Sequence, residues 1–99
     1  MSTHKLTLDR RQLIAKSLDA ISAKGVLYGS QVHHASLDRD IDIIVLADRK
    51  SVEDIFRIVA HLQITLGQVL HVVVLSESDL TRNPSWLELI RRGVVLWES

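Results

Sequence analysis

The sequence predicts an α/β fold, a mixed four-stranded sheet with helices mainly on one face. Three observations carry that expectation. Apolar residues recur at helical and at strand spacing in alternating segments. Two runs, Ile41 to Ala47 and Val69 to Leu75, are nearly continuous and β-branched, as strands covered on both faces require. Finally, 99 residues at 46% apolar and 24% charged suffice for one core and are too few for two. Residues 1–99 are therefore read as a single domain.

Residues 1–8 read as a lead-in. Thr7 or Asp9 then caps a helix carrying Ile14, Leu18 and Ile21, which Gly25 ends. Val26 to Tyr28 is a short strand feeding a turn at Gly29 and Ser30. Gln31 to Arg39 is polar and without clear period, and the Ile41 strand follows. Ser51 opens a second helix, with Asp54 placed to reach back as in a capping box and Val52, Ile55, Phe56 and Val59 forming one stripe. Gly67 marks its exit, and the next strand, Val69 to Leu75, is interrupted by His71. Asn83 and Pro84 start a helix through Ile90, Gly93 stops it, and Val94 to Trp97 supplies the last strand.

Composition excludes several classes. Twelve Lys plus Arg balance twelve Asp plus Glu, so no basic field gathers nucleic acid or an anionic membrane. The absence of Cys excludes a disulfide framework and thiolate metal sites. The longest unbroken apolar stretch, Ile43 to Ala47, falls far short of the roughly 20 residues of a membrane span. The start, MSTHKLTLDR, lacks the apolar centre of a secretion signal, and the expected location is cytoplasmic.

Chemistry concentrates in GSQVHHASLDRDIDIIVL, residues 29–46. Asp40 and Asp42 stand two apart at the head of a strand, so both carboxylates leave one face about 6–7 Å apart at their origins. Such a pair can share divalent cations, although an isolated Asp-x-Asp is more often a strand end emerging into water. Gly29 lets a ligand approach the backbone closely. Ser30 can cap a short helix whose free N–H groups receive phosphate oxygens. A phosphate cradle followed by an acidic pair describes a site for a nucleoside triphosphate with magnesium.

Gly29-Ser30, nine residues, then Asp40-Ile41-Asp42 inside an apolar strand resembles the signature of minimal nucleotidyltransferases of the DNA polymerase beta-like superfamily. The spacing is one residue shorter than is usual there. The resemblance runs from the Val26 strand to Gly93-Val94-Val95-Leu96-Trp97. It implies that Gly29 and Ser30 bind the triphosphate, with ATP as the expected nucleotide. It also implies that Asp40 and Asp42 hold Mg²⁺, with Mn²⁺ as the alternative, for in-line transfer of a nucleoside monophosphate to an acceptor hydroxyl. His71 falls where the family places a third carboxylate, and Gln31-Val32-His33-His34 replaces an arginine-bearing run. His71 can serve as general base or bind a softer metal, or it is simply a partly buried strand histidine with a backbone partner. Arg39 stands where Ser often precedes the first Asp, and a solvated surface arginine is the plain reading.

A zinc centre built on His33, His34 and His71 is disfavoured, because no His pair has the helical spacing zinc enzymes use. Trp86, Trp97 and Phe56 read as core or interface anchors, and Arg10-Arg11 and Arg91-Arg92 as solvated helix ends. A chain of this size leaves the acceptor to be recruited from outside. By resemblance the partner is a HEPN-type ribonuclease toxin, which makes this chain an antitoxin-type protein. The alternative is a degenerate nucleotidyltransferase fold that works as a protein-binding or nucleotide-binding module. A homo-oligomerisation domain is a third reading.

Overall fold

The computed structural model describes residues 3–29 and 40–99, with side chains from residue 9 onward. In chain order it contains helix α1 (Thr3–Leu18), strands β1 (Lys24–Tyr28) and β2 (Ile41–Leu46), helix α2 (Val52–Leu66), strand β3 (Leu70–Leu75), helices α3 (Glu77–Arg82) and α4 (Ser85–Arg92), and strand β4 (Val94–Glu98). The four strands form one sheet in the order β3-β2-β1-β4. β1 runs antiparallel to both β2 and β4, whereas β2 and β3 are parallel, so the sheet is mixed as expected. A parallel pair needs a crossover, and α2 supplies it.

The core lies between one sheet face and helices α1 and α2. Ile14 and Leu18 of α1 and Ile55, Val59, Leu62 and Leu66 of α2 meet Leu27, Ile41, Ile43, Val45, Leu70 and Trp97. Ile43, Val45, Ile55 and Leu18 are fully excluded from solvent. At about 25 cal/mol per Å² of apolar surface, each such side chain stabilises the fold by roughly 1.5–3 kcal/mol before entropy is counted. Arg10 ties the two helices together, its Nη1 donating to the Leu66 carbonyl at 2.7 Å and to Gln68 Oε1 at 2.8 Å. Val26 and Ile44, paired across β1 and β2, are buried outside that cluster, with Gly93 at the end of α4 seated against Val26.

Several boundaries differ from expectation. Helix α1 begins at Thr3, where a lead-in was expected, because no Gly or Pro interrupts the helix-forming residues there. It ends at Leu18, leaving Ile21 outside. Gly25 is a strand residue, not a helix stop: a Cβ there would lie 2.2 Å from the Trp97 ring, so the glycine clears space for the indole. The stripe on α2 runs Ile55, Val59, Leu62, Leu66, while Phe56 is 45% exposed. Asn83 closes the unforeseen α3, and Pro84 is the cap of α4. Arg10 makes a packing contact and is no solvated helix end, whereas Arg91 and Arg92 are exposed on the last turn of α4 and paired with Glu88.

Candidate functional site

Strand β2 sits between β1 and β3, and its alternation decides what faces where. Ile41, Ile43 and Val45 point into the helix-covered core, which turns Asp40 and Asp42 to the opposite face. In register, Asp42 is flanked by Tyr28 on β1 and by His71 on β3. The Ile41 N–H donates to the Val69 carbonyl at 2.9 Å, extending the parallel pairing to the residue beside Asp40.

The two carboxylates have different partners. Gly29 adopts the left-handed conformation at φ 79°, and a Cβ built there would fall 2.7 Å from Asp42 Oδ2. Asp42 therefore lies directly over the glycine, in space that any other residue would fill. Asp40 turns the other way, and its Oδ2 lies 2.7 Å from His71 Nε2, with the two side chains 51% and 58% exposed. His71 is thus neither partly buried nor bonded to backbone. It stands on the outer strand of the sheet, on the face away from α1 and α2, and takes a carboxylate as partner.

Among the described residues no group of three or more His, Cys, Asp or Glu side chains is close enough to hold a metal ion. The site is a carboxylate over a glycine turn next to a carboxylate–imidazole pair. Ser30, with His33, His34 and Arg39, lies outside the described residues.

Tyr28 belongs to this site and was not singled out in the sequence. Its phenol is pushed above the ordinary value of 10.0, first by burial and then by the Asp42 charge. Its position next to Gly29 was visible, but the pairing that sets it beside Asp42 depends on the register between β1 and β2.

The described residues also enclose a cavity of about 880 Å³, but at the far end of β2, where Leu46, Ala47, Asp48, Leu75, Ser76 and Ser22 line it. Asp40, Asp42 and His71 do not line that cavity, so the chemistry and this hollow are separate features. The cavity lining offers hydroxyls and scattered carboxylates with no convergent set.

No protein-family model matches the chain, and no curated protein matches it. Among solved structures, the chain is similar to one in the crystal structure of the toxin–antitoxin MntA-HpeT, solved as a double Asp-to-Glu mutant. The TM-score is 0.58 and the identity 18%, over 100% of this chain and 75% of that one. The fold is nucleotidyltransferase-like. The mixed sheet sets Gly29, just beyond the end of β1, beside Asp42 of the neighbouring strand β2. No helix among the described residues is long and apolar enough to cross a membrane.

Proposed function

We propose that this chain is a metal-dependent nucleotidyltransferase of the antitoxin type, moving a nucleoside monophosphate from ATP to an acceptor hydroxyl on a partner protein. The observation that supports this reading is Asp42 Oδ2 lying over the left-handed Gly29, with Asp40 two residues earlier on the same face. The related fold was solved in a toxin–antitoxin assembly, and the two aspartates altered in that protein are two residues apart, as Asp40 and Asp42 are.

The donor set fits a hard divalent cation bound together with its nucleotide. Mg²⁺ is commonly held by one or two carboxylates, with substrate phosphates and water completing the shell. Asp40 and Asp42 would hold Mg²⁺ or Mn²⁺, and Gly29 and Ser30 would receive the triphosphate. A cation so held would supply charge neutralisation for the transferred phosphoryl group. Asp42 keeps its orientation because Gly29 offers it room. His71 can act as general base toward the acceptor hydroxyl through the ring nitrogen that carries no hydrogen.

A second reading, a degenerate module that binds nucleotide or partner without transfer, is favoured by the engagement of Asp40 with His71. Calorimetric titration of ATP separates the two. A transferase binds ATP measurably only with Mg²⁺ or Mn²⁺, and Asp42→Asn abolishes both that metal dependence and transfer. ATP binding indifferent to metal and to Asp42→Asn would establish the module instead.

A further inference from the structure

The contact between Asp40 and His71 joins two adjacent parallel strands on the sheet face away from α1 and α2. At 2.7 Å, an imidazole nitrogen facing a carboxylate oxygen must carry the hydrogen, since a bare lone pair would be repelled by the oxygen. The ring atom nearest Asp40 is therefore a donor and not a free ligand atom in this arrangement. Asp42 is meanwhile committed to the space over Gly29. A cation held through Asp40 Oδ2 competes with His71 Nε2 for that oxygen.

We propose that His71 is a positioning residue that withholds Asp40 from the cation, so that one cross-strand hydrogen bond sets the divalent-metal affinity of the site. This rests on the reading of Asp40 and Asp42 as metal ligands. Imidazole is a weak ligand for hard cations, so His71 returns little when the carboxylate leaves it. Removing the donor frees Asp40 at no loss to the coordination shell, and affinity rises. The gain is about three- to tenfold, the worth of one solvent-exposed, charge-assisted hydrogen bond.

The test titrates Mn²⁺ alone into the protein and follows the loss of the free-ion signal by electron paramagnetic resonance. Four proteins are compared: the parent, His71→Ala, His71→Gln and Asp42→Asn. His71 is more than half exposed, so its variants keep the fold, and circular dichroism verifies this. His71→Ala binds Mn²⁺ about three- to tenfold more tightly than the parent, the worth of the lost bond. His71→Gln, whose amide donates from a similar reach, stays near the parent. Asp42→Asn binds more weakly. A merely structural histidine would not raise affinity when truncated. Unchanged or weaker binding in His71→Ala, with Asp42→Asn still impaired, overturns the withholding role and leaves the transferase reading intact. Parent-like binding in Asp42→Asn overturns both, because the ion would then sit elsewhere.

Discussion

Gly29 and Asp42 depend on each other at the level of single atoms. A side chain at position 29 meets two penalties, the left-handed backbone and the Asp42 carboxylate 2.7 Å from the new Cβ. Gly29→Ala is expected to lose about 1–2 kcal/mol of stability in urea denaturation, from the backbone term, and to displace the carboxylate as well. Tyr28 reports on the same carboxylate. It is the one tyrosine in the sequence, so its phenolate absorbance can be followed without interference from another. Because the Asp42 charge is the second cause of its raised value, Asp42→Asn should lower the Tyr28 titration midpoint while burial keeps it above 10.0. The neutral phenol is the form the fold favours. Its contribution to stability is whole below 10.0 and disappears as pH climbs through the raised folded value.

At the scale of elements, two Ser-x-x-Asp segments show what a sequence can and cannot disclose. Ser51 to Asp54 and Ser76 to Asp79 carry the same pattern ahead of a helix. Only the second forms a capping box, because Ser76 is extended at φ −93°, ψ 171°, as a cap must be. Ser51 sits at the end of a 3₁₀ turn at φ −90°, ψ −6°, and makes no side-chain cap; Asp54 pairs with Arg57 instead. The deciding variable is the backbone arriving from the preceding strand, which the four letters do not contain. The capping box also makes a pH prediction. The Ser76 backbone N–H, then its hydroxyl, hold the Asp79 carboxyl below its ordinary 3.8, with Arg49 assisting. The stabilisation is present above 3.8 and is lost as pH falls through the lowered folded value. In acid titrations of the denaturation midpoint, Asp79→Asn should therefore show a shallower decline than the parent over that window.

The same limits apply to the candidate site. Gly29, Asp40 and Asp42 were legible because a positive-φ glycine and a two-residue carboxylate spacing are properties of neighbouring letters. His71 was reached only through the family resemblance and Tyr28 not at all, since both meet the aspartates through strand register and sheet order, which are non-local. Gly25 was misread for the same reason: its explanation, the Trp97 indole, lies 72 residues away along the chain.

On the scale of the whole molecule, the last strand closes the core against the end of the first helix. Trp97 is 7% exposed, and its indole Nε1 donates to Ser22 Oγ at 2.9 Å. Lys24 pairs with Glu98 at 3.3 Å, and the Ser99 N–H reaches the Ala23 carbonyl at 2.9 Å. Ser22→Ala strands a buried indole N–H and is expected to cost about 1–3 kcal/mol, read from the midpoint of the tryptophan fluorescence transition. The nucleotidyltransferase-like architecture thus rests on a contact made by residues remote from Asp40 and Asp42.

The position of β4 has a consequence for how the chain is made. β1 is an inner strand, yet one of its two neighbours comes from residues 94–98, so as the polypeptide leaves the ribosome β1 presents an open hydrogen-bonding edge beside Val26 and Leu27 until those residues emerge. The sheet cannot close before then, and the nascent chain is most open to mispairing while residues 94–98 are still inside the exit tunnel.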